Sequence, residues 1–152
     1  MLVIVHLSIF NEDKEYVKDF DNSILISEGW MVDGQKNVYW KFYIDGSVYS
    51  QGHFKNDKKD GYWYFYDADQ LKSEGYFKNN LKQSWCTFHN YNSYRMVKRQ
   101  YENDKISGYV LYYKRSSLSK VTEYKANSKV GEWTSYGRFK TAHPGFSLNN
   151  IR

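Results

Sequence analysis

Residues 52–74 read GHFKNDKKDGYWYFYDADQLKSE, and residues 75–97 follow at once with GYFKNNLKQSWCTFHNYNSYRMV. Both open on glycine, an aromatic or histidine ring, phenylalanine, lysine and asparagine, and the two glycines stand 23 residues apart. A fixed internal period of this size marks a repeat architecture. With Phe54 as anchor, the same slot holds Phe77, Tyr101 and Tyr124 at steps of 23, 24 and 23, and Met31 holds it in a weaker unit upstream. Seven residues past the anchor stand Gly61, Ser84, Gly108 and Gly131, with Val38 in the weak unit. Nine past it stand Trp63, Cys86, Val110 and Trp133, with Trp40; twelve past it stand Tyr66, His89, Tyr113 and Tyr136, with Tyr43.

Inside each unit, β-rich runs alternate with turn clusters such as Asn56-Asp57, Asn79-Asn80, Asn103-Asp104 and Asn127-Ser128. Asn, Asp and Ser suit turns because their short side chains bond nearby backbone groups and tolerate left-handed geometry. Each unit therefore predicts one β-hairpin, and residues 29–137 predict an all-β, antiparallel meander of about ten strands in one elongated twisted sheet, built from five hairpins of roughly 23 residues. The two-residue strand period then separates the faces. Trp40 and Phe42, Trp63 and Phe65, Cys86 and Phe88, Val110 and Tyr112, and Trp133 and Ser135 fall on a nearly apolar face, expected to be buried at about 1.5–3 kcal/mol per large ring. The opposite face is rich in Tyr, with Lys41, Thr87, His89 and Thr134 interspersed, and is the functional candidate. Gly29, Gly52 and Gly75 stand two residues before an anchor, inside strands, where glycine costs stability. A neighbouring ring lying across the bare backbone would offset that cost. Arg99 and Thr122 fill the slot in later units, which must pack differently.

Residues 1–28 stand outside the repeat. Leu2 to Phe10 predict a strand that pairs with or caps the first edge of the stack. The run 11–22 sets Glu12, Asp13, Glu15, Asp19 and Asp21 against Lys14 and Lys18, a local charge of −3, which leaves +8 for the rest of a chain of net +5. A solvated acidic cap is the expectation, with a docking surface as the alternative. Residues 138–152 break the pattern at Pro144 and Gly145 and are expected to form a closing strand or ordered tail.

At 152 residues the chain has room for one domain. Aromatic residues make up 20% of it, against a single Pro, which favours β-structure over disorder or a helical bundle. One Cys, Cys86, excludes an intramolecular disulfide and reads as a buried thiol. The apolar opening lacks the basic start and cleavage site of a signal peptide, so the expected location is the cytoplasm, with the periplasm left open.

Gly52-His53-Phe54-Lys55-Asn56, Gly61-Tyr62-Trp63, Tyr66, Gly75-Tyr76-Phe77-Lys78-Asn79, Gly108, and Gly131-Glu132-Trp133 with Tyr136 together resemble the variant MORN repeat, in the form found in bacterial proteins of the YwqK antitoxin family. The resemblance covers roughly residues 28–137. It departs from the family at the turns, where only Asp33-Gly34 and Asp45-Gly46 keep a glycine, at Ser84 for Gly, and at Cys86 and Val110 for Trp. It implies a stack of hairpins that acts by binding, as an antitoxin or immunity-type inhibitor, or as a scaffold or membrane-associated module.

The residues suggest no enzyme: His6, His53, His89 and His143 are scattered, and no phosphate loop or nucleophile motif is present. Asp57, Asp60, Asp67 and Asp69 share the turns of one unit, but Lys58 and Lys59 lie among them, so neither a metal nor a cofactor is expected. The leading expectation is a noncatalytic protein-binding module that covers a toxin or effector, with Tyr64, Tyr66, His89, Tyr91, Arg95, Arg99 and Tyr113 at the interface. An anionic membrane surface is the second candidate partner. Single-stranded nucleic acid is the third, because Tyr91, Tyr94, Arg95, Lys98, Arg99 and Tyr101 mix rings with cations.

Overall fold

The computed structural model describes residues 13–151. The strands are β1 (Lys14–Asp21), β2 (Ile24–Val32), β3 (Gln35–Ile44), β4 (Ser47–Lys55), β5 (Lys58–Asp67) and β6 (Gln70–Lys78), then β7 (Leu81–Asn90), β8 (Arg95–Glu102), β9 (Lys105–Lys114), β10 (Ser117–Lys125) and β11 (Ser128–Trp133). A short helix, α1 (Tyr136–Ala142), follows. The eleven strands pair strictly in chain order, all antiparallel, in one open sheet. The strand expected at Leu2–Phe10 lies outside the described residues. The acidic run contributes β1 itself, in register with β2 from Lys14 opposite Val32 to Asp21 opposite Ile24, so the boundary expected at residue 28 falls inside a strand. The C-terminal segment closes the sheet with a helix instead of the strand or tail expected there.

Most hairpins turn on two residues of positive φ: Asn56 and Asp57 at +49° and +62°, Asn79 and Asn80 at +49° and +70°, Asn103 and Asp104 at +49° and +63°. This twist matches that of the flanking strands. The last turn sits one residue earlier than the sequence suggested, on Ala126 and Asn127. The second residue of these turns also joins one hairpin to the previous one. Asp57 accepts from the Lys36 amide at 2.7 Å, Asn80 from Lys59 at 2.7 Å, Asp104 from Lys82 at 2.9 Å and Asn127 from Ile106 at 2.7 Å. The turn side chain thus serves as a repeated clamp, which explains why Asn or Asp recurs there.

On one face, here the phenylalanine face, Gly29, Trp40, Gly52, Trp63, Gly75 and Cys86 lie opposite one another from β2 to β7. The expected ring-over-glycine packing is present at Gly29 and Gly52, whereas at Gly75 the Cys86 thiol stands where a ring was expected. A Cβ on Gly29 would lie 2.3 Å from the Trp40 ring, one on Gly52 2.5 Å from Trp63, and one on Gly75 2.3 Å from Cys86 Sγ. Trp40 and Trp63 are buried, and their indole N–H groups donate to the Trp30 carbonyl at 2.8 Å and the His53 carbonyl at 2.9 Å. In the adjoining row Ser27, Phe42, Ser50, Phe65, Ser73 and Phe88 alternate, small beside large. Phe42 stacks between Trp40 and Trp63, with centroids 6.1 and 6.2 Å away. These rings bury one another within a single layer, and α1 packs over β9–β11 on the other face. The later units do pack differently, as expected: Arg99 lays its guanidinium over Phe88 at 4.7 Å, and Thr122 is buried.

One expected position is wrong. Trp133 does not join Trp40 and Trp63. Between Gly52 opposite Trp63 and Phe54 opposite Lys59, β4 spends one residue and β5 spends three, so two extra residues keep Trp63 on the phenylalanine face. Gly61 lies in that bulge at φ +129°, and Val38, Ser84 and Gly108 take +60°, +57° and +98° in the equivalent places. At β10–β11 only Val130 is extra, Gly131 does not take positive φ, and Trp133 pairs with Val121 on the opposite face. A one-residue bulge reverses every side chain beyond it. There Trp133 meets α1, with Phe139 5.3 Å away and His143 4.8 Å away. Phe139, Leu111 and Val121 form a buried cluster flanked by Trp85, Tyr109, Tyr113, Phe146 and Leu148. A second buried cluster, separate from the Trp40–Trp63 row, therefore lies at the C-terminal end of the tyrosine face.

Candidate functional site: the open tyrosine face

The eighth residue past each of the first four anchors, Tyr39, Tyr62, Trp85 and Tyr109, and the twelfth, Tyr43, Tyr66, His89 and Tyr113, project to the face opposite Trp63. Over β9–β11 this face is covered by α1 and the residues after it, where Tyr109 O–H meets His143 Nδ1 at 3.0 Å. Over β3–β7 it carries Tyr39, Tyr43, Tyr62, Tyr64 and Tyr66 half-buried beside one another, and the described residues contribute no second layer there.

A pair recurs in this field at a separation of 15 residues. Tyr43 O–H donates to Glu28 Oε1 at 2.5 Å, Gln51 Nε2 donates to the Tyr66 hydroxyl at 2.8 Å, and His89 Nε2 lies 3.7 Å from Glu74 Oε1. His89 thus stands in a tyrosine column because it meets the same partner position, Glu74, that Glu28 and Gln51 occupy for Tyr43 and Tyr66. Lys18 also reaches Glu28, at 3.5 Å. The hydrogen bond from Tyr43 holds the Glu28 carboxyl below its ordinary value. Burial, then the hydrogen bond and charge of Glu28, pushes the Tyr43 phenol up to about 12. Burial, then the charge and hydrogen bond of Glu74, does the same for Tyr62, also to about 12. These hydroxyls keep their protons at neutral pH and can both donate and accept.

The expected interface residues divide between the faces. Tyr64, Tyr66 and His89 lie together on the tyrosine face, and Tyr91 stacks on His89 at 5.7 Å with planes 10° apart, in a single 3₁₀ turn at the rim. Asp67, Gln70, Lys72, His89 and Tyr91 surround a hollow of about 380 Å³ there. Tyr113 shares the face but packs against the cluster under α1. Arg95 and Arg99 project from the phenylalanine face, in line with Val97, away from Tyr64 and Tyr66, although Arg95 borders a hollow that Tyr113 also lines. Tyr39, Tyr43 and Tyr62, with Glu28 and Glu74 beneath them, belong to the field and were missed as site residues; the aromatic column eight past the anchor and the Glu-Gln-Glu column three before it are the signals that would have found them. Among the described residues no cluster of His, Cys, Asp and Glu is arranged to hold a metal ion, and no helix is long and apolar enough to cross a membrane.

Comparison with models of known protein families finds no match. Comparison with curated proteins finds none either.

Proposed function

We propose that this chain is a noncatalytic protein-binding module of the antitoxin or immunity-inhibitor kind, which lays the tyrosine field of β3–β7 on a toxin or effector. The observation that carries this reading is the unequal treatment of one face. Over β9–β11 it buries Leu111, Val121 and part of Trp133 against a helix of its own chain, whereas over β3–β7 the same columns offer tyrosines on which none of the described residues is laid. Tyrosine supplies a large rigid contact at little entropic cost, and its hydroxyl bonds the partner at the edge of the contact. The anchoring of Tyr43 and Tyr66 by Glu28 and Gln51 fixes their rings beforehand, which lowers the cost of ordering them on binding. The MORN-like sequence pattern narrows the partner class to a toxin or effector, and the cytoplasm is the proposed place of encounter.

The test is titration of the chain against a toxin or effector encoded beside it. The double variant Tyr64→Ala/Tyr66→Ala lowers affinity at least about tenfold, and Tyr136→Ala, outside the field, leaves it unchanged. Full affinity in the double variant, with unaltered thermal unfolding, contradicts the proposal.

A further inference from the structure

The phenylalanine face carries a second pattern, independent of the tyrosine field. Five residues past successive anchors stand Lys36, Lys59 and Lys82, and each ammonium lies on a ring: Lys36 4.9 Å from Trp40, Lys59 4.5 Å from Trp63, Lys82 5.8 Å from Phe77. Arg99 covers Phe88 at 4.7 Å and Lys120 covers Tyr112 at 4.3 Å. The row ends in a hollow of about 320 Å³ lined by Arg95, Lys114, Lys120, Tyr112 and Val97, with no carboxylate in its wall. Among the described residues Lys36, Lys59, Arg95, Arg99 and Lys114 form no ion pair, whereas Lys82 pairs with Asp104 and Lys120 approaches Glu132 at 3.9 Å. Burial, then the neighbouring charge of Lys82, lowers the pKa of Lys59, so this cation gains from an anion laid on it.

We propose that the phenylalanine face is an interaction surface for an acidic, extended polypeptide segment, whose carboxylates follow the lysine row and end in the Arg95–Lys114–Lys120 hollow. The ring geometry favours this occupant over single-stranded nucleic acid. Bases need free ring faces to stack on, and here the faces are taken: Phe42 is held between Trp40 and Trp63, Trp63 also stacks on Phe65 at 6.0 Å, and cations cover Phe88 and Tyr112. What remains outward is ring edge and ammonium, both of which attract carboxylates. A flat bilayer suits the row less well, since sheets twist by roughly 20° per strand and the row runs from β3 to β10; a flexible chain can follow that turn.

The experiment is fluorescence anisotropy of a labelled ten-residue polyglutamate peptide against the full chain. The wild type binds, and affinity falls several-fold when salt is raised from 50 to 200 mM. The variant Lys36→Gln/Lys59→Gln/Arg95→Gln/Lys114→Gln, which keeps the stems over the rings, binds about tenfold more weakly, roughly what several exposed ion pairs are worth together. Arg95→Gln/Lys114→Gln alone, at exposed positions that do not hold the fold, shows a smaller loss in the same direction. Lys41→Gln/Lys98→Gln, which removes as many charges from the tyrosine face, leaves binding within twofold. Equal losses from both faces, tighter binding of a thymidine 20-mer or of phosphatidylserine vesicles than of the peptide, or no binding at low salt overturns the proposal. None of these outcomes alters the toxin titration with Tyr64 and Tyr66, so the two readings fail separately.

Discussion

Gly61-Tyr62-Trp63 and Gly131-Glu132-Trp133 carry the same Gly-x-Trp text at the same place in their repeats, yet the two tryptophans end on opposite faces of the sheet. The difference is one residue of bulge. Where Gly61 takes φ +129° the strand absorbs two extra residues and Trp63 stays over Gly52; where Gly131 does not, one extra residue sends Trp133 beneath α1. A column of identical residues in a repeat therefore fixes side-chain direction only if the backbone between the columns also repeats. The consequence reaches the candidate site, because the reversed end of the sheet acquires its own helical cover, whereas over the earlier units none of the described residues covers the tyrosine face.

The largest expected effect separates the two tryptophans. Trp63→Ala removes a fully buried ring, its bond to the His53 carbonyl and the support of Phe42, Phe54 and Phe65, and costs about 3–5 kcal/mol in chemical denaturation. Trp133→Ala removes a partly buried ring and costs roughly half as much; its signature is faster hydrogen exchange in Phe139–His143 with β3–β7 unaffected. Equal costs and uniform exchange would erase the distinction.

Next come the glycines. Gly52→Ala drives a methyl against the base of a locked indole, 2.5 Å from Cδ2, and destabilises by about 1–3 kcal/mol. Gly131→Ala meets only the far edge of Trp133, which can swing outward, so its cost is below about 1 kcal/mol. The smallest effect concerns Cys86, which takes the place of a tryptophan in the same row. Burial pushes its thiol from 9.0 up to about 11. The unfolded chain releases this proton first, so stability declines as pH rises from about 9 toward 11. Cys86→Val makes the decline between pH 9 and 10 shallower and leaves the part that comes from the buried tyrosines, in denaturant melts across that range.

The hairpin period, the turn residues and the ring-over-glycine row were legible in the sequence because each follows from local stereochemistry repeated at a fixed interval. The tyrosine face was legible too, as the complement of the Trp63–Phe65 column. Three features were not. The destination of Trp133 depends on a one-residue difference in strand pairing that leaves no trace in composition. The helix at Tyr136–Ala142 is a seven-residue segment containing Gly137, too short for periodicity to reveal, and Phe139 earns its place only through Leu111 and Val121, which belong to strands distant in sequence. The division of Arg95 and Arg99 from Tyr64 and Tyr66 follows from strand parity across β8, and a face assigned by proximity in sequence could not show it.

Nuclear Overhauser contacts of the two indoles test the bulge rule most directly. The Trp63 ring should show contacts to the Gly52 α-protons, shifted upfield by its current, and the Trp133 ring should show contacts to Phe139 and Val121. Contacts from Trp133 to Val110 and Thr122 instead, with none to Phe139, would mean that the last repeat bulges like the others and that the tyrosine face has no helical cover of this kind.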